Sequence, residues 1–242
     1  EIYEQIPELP FCNIWTAMQL SSRLPKGALF HMGVSNTRRC WNMFQLPESV
    51  ESACNVGCCG IDGCVSTLVG ASLVNPDRLC YVVVGDLTFF YDLNSLGNHH
   101  IGTNLRVMLV NNGRGTEFRL GIHHCNVFGD DADKYMAAAG HFGNKSPLLV
   151  KHYAEDLGFH YLSATTKEEF MTALSNFTNP QLSDHSMILE VFTDSKDESE
   201  ALYLMSHIQS DAKGMVRSKL KDAVRNVAGE KGINAIKKIL KK

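Results

Sequence analysis

Two apolar runs in this chain end in residues suited to hard cations. Leu79–Val84 runs into Gly85-Asp86, and Leu105–Val110 runs into Asn111-Asn112-Gly113. Near-continuous apolar runs of this length read as strands buried on both sheet faces. Asp86 and Asn112 stand 26 positions apart, room for one helix and a return strand, so both side chains can reach one sheet edge. A carboxylate, an amide oxygen, a backbone carbonyl, water and phosphate oxygens suit an octahedral divalent ion. The adjacent glycines let the main chain approach a ligand closely. A helix expected over Asp62–Val74, with Asp62 as its cap, would offer free N–H groups to a phosphate. Taken singly, Asp86 reads as a helix-capping aspartate and Asn111-Asn112-Gly113 as a turn; only the combination points to a site.

The elements that must position these residues alternate along the chain. Helical spacing covers Phe11–Leu24, Asn36–Phe44, Thr88–Leu96, Leu148–Leu157 and Lys167–Phe177. Further strands are expected at Ala28–Met32, Phe159–Ser163 and Met187–Phe192. Strands alternating with helices imply an α/β fold with a doubly wound, mostly parallel sheet and helices on both faces. In such sheets ligands sit beyond the carboxyl ends of the strands, at a switch point. Residues 1–205 read as one domain and 206–242 as a basic amphipathic helical tail. From Lys213 onward ten Lys and Arg face only Asp222 and Glu230. The plain reading of that tail is a helix packed on its own domain or on a sister subunit.

The 242 residues, 44% hydrophobic and 20% charged, suit one α/β domain with a buried core. A net charge of −3 gives no reason to expect nucleic acid as a partner. No apolar run reaches the length of a membrane span, and the start shows no signal-peptide pattern. The eight cysteines form no CxxC pair, so reduced, structural thiols in a cytoplasmic protein are expected.

Three blocks carry a resemblance. Gly60-Ile61-Asp62-Gly63, Gly85-Asp86-Leu87 and Asn111-Asn112-Gly113-Arg114, the last followed by Phe118, resemble the pyrophosphate-binding domain of thiamine-diphosphate (ThDP)-dependent enzymes. The chain is most similar to the MenD family, synthases of menaquinone biosynthesis that join decarboxylated 2-oxoglutarate to isochorismate. The likeness covers residues 10–195 and implies the ThDP-binding fold, with ThDP and Mg²⁺ as cofactors. It implies that Asp86, the Asn112 side chain and the carbonyl of Arg114 hold the metal. Ser35 would lie near the diphosphate, and Gly60, Asp62, Gly85, Leu87 and Phe118 would line the cofactor site. Ile61 would be the apolar wedge that keeps the cofactor bent, and Arg39 would face the substrate.

The resemblance further implies a 2-oxo acid substrate, a lyase or transferase activity and a homo-oligomer, dimer or tetramer. It requires a glutamate from a separate pyrimidine-binding domain, supplied in cis or in trans, so the chain by itself is expected to be inactive. Because the sequence begins at Glu1, it reads as part of a longer enzyme or as one subunit of a split one. Two positions depart from the family: Val56 stands where MenD carries an arginine, and Glu117 replaces an apolar residue. Losing an arginine removes a charge-assisted contact to a carboxylate, which disfavours a dicarboxylate substrate.

Two rivals remain at this level. One is a non-catalytic ThDP-fold module used for assembly. The other is a nicotinamide-binding Rossmann domain, suggested by Gly57, Gly60 and Gly63 ahead of a helix; the spacing is GxxGxxG rather than GxGxxG. His123 and His124 read as exposed loop residues, with a substrate or proton-transfer role as the sharper alternative.

Overall fold

The computed structural model describes residues 3–57, 59–120, 123–132 and 146–208. Six strands form one sheet: β1 (Leu29–Met32), β2 (Glu51–Cys54), β3 (Cys80–Gly85), β4 (Leu105–Asn111), β5 (His160–Ala164) and β6 (Met187–Phe192). Their order is β2-β1-β3-β4-β6-β5, and every pairing is parallel. The helices are α1 (Asn13–Leu20), α2 (Asn36–Trp41), α3 (Cys64–Val74), α4 (Asp86–Tyr91), α5 (Leu149–Asp156), α6 (Lys167–Phe177) and α7 (Ser195–Ser206).

The two-residue period of a strand divides the apolar side chains between two cores. Tyr81 and Val83 of β3, Met108 and Val110 of β4, and Leu189 and Val191 of β6 pack with residues of α1, α2, α6 and α7. The alternate residues Val82, Val84, Val107, Leu109 and Ile188 pack with α3 and α5 on the opposite face. Val82, Val83 and Val84 are all fully buried. Each such side chain contributes about 1.5–3 kcal/mol, so the carboxyl ends of the central strands are firmly placed.

The chain winds outward from β1 to β2 and then returns to the other side of β1 for β3. The resulting crevice between β1 and β3 is the switch point of the doubly wound sheet. Gly33-Val34-Ser35 follows β1 there, Asp86 follows β3, and Asn112 follows β4.

The structure departs from the sequence reading in several places. Helix α3 starts at Cys64, two residues later than expected, and its N-cap is Gly63 at φ 81°. That left-handed conformation favours glycine, so Asp62 is not the cap. Nor are all the leading amides open to a ligand, since Asp92 Oδ2 accepts from the Ser66 N–H at 2.6 Å. Expected helix Thr88–Leu96 divides into α4 and a separate 3₁₀ turn over Leu93–Gly97. Strand β2 and helix α7 were not anticipated. The basic tail from residue 209 onward, and much of the Gly- and His-rich stretch before 146, lie outside the described residues. Among the described residues no helix is long and apolar enough to cross a membrane.

Candidate cofactor and metal site

Asp86 is the first residue of α4, and Gly85 before it is the N-cap with extended backbone. Its carboxyl group is buried at 2% exposure, and its Oδ1 accepts from the Leu87 N–H at 2.8 Å. Burying a carboxylate is costly unless it is hydrogen-bonded or bound to a cation, and this one sits where a sheet crevice opens.

The partner strand places the amide. Gly85 is registered against Val110 across β3 and β4, so Asp86 and the turn after Asn111 leave adjacent strands at nearly the same level. Gly113 has φ 77°, which lets the chain turn sharply after Asn112. The turn is anchored from beneath. Asn111 Nδ2 donates to Glu190 Oε1 at 2.7 Å, and Asn111 Oδ1 accepts from the Gly113 N–H at 3.2 Å. Tyr161 donates its hydroxyl to Glu190 Oε2 at 2.7 Å. Burial pushes the Glu190 carboxyl above the usual range, and the two donors oppose that shift. Asn112 Oδ1 accepts from the Arg114 N–H at 3.3 Å.

Asp86 and Asn112 wall one cavity of about 230 Å³. Ser35, Ile61, Gly85, Leu87, Arg114 and Phe118 also line it, so eight of the eleven residues singled out from sequence meet in one place. Gly60, Asp62 and Arg39 are not among its walls. Asp62 is exposed, and Arg39 pairs with Glu117, which does line the cavity. The carbonyl of Arg114 accepts from the Thr116 N–H at 3.0 Å.

Ser35 carries an unusual backbone. It has φ 59° and ψ −121° ahead of α2, and its side chain makes no capping bond. A non-glycine residue in such a conformation stores strain, which concentrates at ligand sites. Phe118 is held edge-on by the His123 ring, with centroids 5.2 Å apart. His123 Nδ1 in turn accepts from the Cys125 N–H at 3.1 Å.

Arg39 and Glu117 meet in a two-pronged ion pair. Nη1 lies 2.7 Å from Oε2, and Nη2 lies 3.0 Å from Oε1. The hydrogen bonds that Arg39 donates to Glu117 raise the guanidinium pKa further. Glu117 is itself a cavity wall.

Sequence reasoning missed several walls, among them Asn13, Asn36, Thr37, Tyr91 and Thr116. Asn36 and Thr37 had a signal, because they extend the polar run that begins at Ser35 beyond a strand. Asn13 had none: it reaches the cavity only through the packing of α1.

The donor set fits a hard cation, with carboxylate and amide oxygens and no thiol or imidazole among the cavity walls. Among the described residues no cluster of three or more His, Cys, Asp or Glu marks a competing soft-metal centre.

Gly-Asp and Asn-Asn-Gly at the ends of adjacent parallel strands, beside the switch point of a doubly wound sheet, are consistent with the ThDP-binding fold. No family model matches the chain. Curated relatives do. The chain is 34% identical over 196 residues to 2-succinyl-5-enolpyruvyl-6-hydroxy-3-cyclohexene-1-carboxylate synthase from Bacteroides fragilis, covering 81% of this chain and 34% of that protein. Synthases of the same name from Phocaeicola vulgatus and Christiangramia forsetii are 34% and 33% identical over 200 and 199 residues. They too are matched over 81% and 82% of this chain, and over 34% and 33% of their own lengths. The chain is thus MenD-like, and it spans about a third of the length of the curated relatives it matches.

Proposed function

We propose that this chain is the pyrophosphate-holding domain of a ThDP-dependent 2-oxo-acid decarboxylase or carboligase, a lyase or transferase of the MenD type. The observation that carries the reading is the convergence of Asp86 and Asn112 on one cavity from the ends of paired strands. In this reading Asp86, Asn112 and the Arg114 carbonyl hold Mg²⁺, and the cation grips the diphosphate. Ser35, Gly85, Leu87 and Phe118 line the cofactor, and Ile61 supplies the apolar wedge. Bound ThDP would supply an electron sink for loss of CO₂ from a 2-oxo acid. The residues of this chain contribute position and exclusion of water.

The match to one third of the relatives' length leaves room in those proteins for other domains. A pyrimidine-binding domain in cis or in trans is accordingly the proposed partner. A homodimer or tetramer and a cytoplasmic setting belong to the same proposal.

Calorimetric titration of ThDP with Mg²⁺ tests it, performed on the chain alone and with the upstream domain of a relative supplied. The expected result is Mg²⁺-dependent binding that Asp86→Ala abolishes and EDTA reverses. Binding with unchanged affinity in Asp86→Ala, or none with the second domain present, would overturn the assignment.

A further inference from the structure

The Arg39–Glu117 pair joins residues 78 positions apart, one in the last turn of α2 and one in the 3₁₀ turn beyond Asn112. Its two parallel N–H···O bonds satisfy both oxygens of the carboxylate and one edge of the guanidinium. Side-chain exposures are 35% for Arg39 and 22% for Glu117, so the pair is neither deep in the core nor fully screened by solvent. A bidentate, partly shielded guanidinium is well matched to a planar carboxylate. In this chain the carboxylate is an internal one, mounted on the cavity wall.

We propose that Glu117 acts as a built-in competitor that occupies Arg39, so that the site rejects ligands presenting a carboxylate to this wall and takes an uncharged reaction partner there. The inference deepens the ThDP-site reading and rests on it for its meaning in catalysis, while the competition itself requires only these two side chains. An incoming carboxylate must displace a tethered one, whose effective concentration is on the order of millimolar or higher. Once displaced, Glu117 would remain beside the ligand as a like charge, which disfavours the exchange further. Removing Glu117 leaves Arg39 as a half-shielded cation beside the cavity. Arg114 also borders the cavity, so the test must separate the two arginines.

Succinate serves as the probe, because it carries two carboxylates and no 2-oxo group and its binding needs neither cofactor nor turnover. Its affinity is measured by NMR titration at low ionic strength on wild type, Glu117→Ala, and the Glu117→Ala/Arg39→Ala double variant. Succinamide, its uncharged analogue, controls for shape. Glu117→Ala should bind succinate at least tenfold tighter than wild type; the double variant should lose that gain, and succinamide should show none. Glu117→Gln preserves side-chain size and should gain in the same direction, which keeps the test informative if the alanine variant folds poorly. Equal succinate affinity in wild type and both Glu117 variants, or a gain that survives loss of Arg39, would overturn the proposal. The ThDP titration is read separately: its failure removes the cofactor assignment and leaves the succinate result standing.

Discussion

The backbone N–H of Asn13 donates to Glu198 Oε1 at 2.9 Å, tying the start of α1 to the first turn of α7 across 185 positions. Thr193 Oγ1 donates to the same oxygen at 2.7 Å, and Asn13 Oδ1 accepts from Trp41 Nε1 at 2.8 Å. Glu198 is 1% exposed, and its Oε2 has no hydrogen-bond partner among the described residues. Asn13 lines the cavity, so this buried carboxyl group fixes one wall of the site from behind.

That arrangement makes stability depend on pH in a defined direction. Burial pushes the Glu198 carboxyl up to about 7, against the opposing bonds from Thr193 and Asn13. The folded state therefore holds a proton that the unfolded chain releases in the usual carboxylate range. The contribution is fully present below that range and is lost as pH rises to about 7, at about 1.4 kcal/mol per pH unit. Urea melts between pH 4 and 8 should show wild type losing about 3 kcal/mol more than Glu198→Gln over this window. An identical slope in the two proteins would contradict it.

Asn111 is not itself among the cavity walls, yet its side chain is the anchor of the turn that presents Asn112. Asn111→Ala leaves Glu190 Oε1 and the Gly113 N–H without these partners. The expected cost is about 1–3 kcal/mol of stability. Affinity for ThDP with Mg²⁺ should fall about 10–100-fold, the usual consequence of losing support behind a metal ligand. Calorimetry under conditions where the variant remains folded separates the two effects.

Asp92 does for α3 what Asp62 was expected to do. Its Oδ2 accepts from the Ser66 N–H, so Asp92→Ala should cost about 1 kcal/mol, the usual worth of a capping acceptor. Asp92→Asn keeps an acceptor and should recover most of that loss in chemical denaturation. Equal destabilisation by both changes would show that the hydrogen bond is not what stabilises this helix start.

These cases explain what was legible in the sequence. Strands β3, β4 and β6 stood out because both of their faces are buried, which leaves continuous apolar runs. Strand β2, Glu-Ser-Ala-Cys, lies at the sheet edge with most of its residues exposed, so it carries no such run. Helix α7 had a start signal in Asp194, whose side chain accepts from the Lys196 and Asp197 N–H groups. Its buried face, however, includes charged Glu198 beside Ala201 and Leu202, which hides the apolar stripe.

The site divided in the same way. Asp86 and Asn112 were legible because each terminates an apolar strand, so topology alone brings them to one edge. The Arg39–Glu117 pair was not, because it depends on the angle at which a short helix meets a 3₁₀ turn. By local sequence Asp62 is the plausible cap of α3; only the packing of the 3₁₀ turn against α3 brings the distant Asp92 to that helix start instead.

Ser35 allows backbone strain and side-chain chemistry to be separated. At φ 59° and ψ −121° a side chain is disfavoured, and such conformations cost about 1–3 kcal/mol. Ser35→Ala keeps the strain and loses the hydroxyl group; Ser35→Gly loses both. The glycine variant should therefore be more stable than the alanine variant by about 1–2 kcal/mol, offset in part by the greater freedom of glycine in the unfolded chain. If the hydroxyl group contacts the diphosphate, both variants should lose similar affinity for ThDP with Mg²⁺. Loss confined to the glycine variant would instead assign the role of this residue to a rigid loop, with the side chain incidental. Parallel urea melts and ThDP titrations on the three proteins distinguish the outcomes.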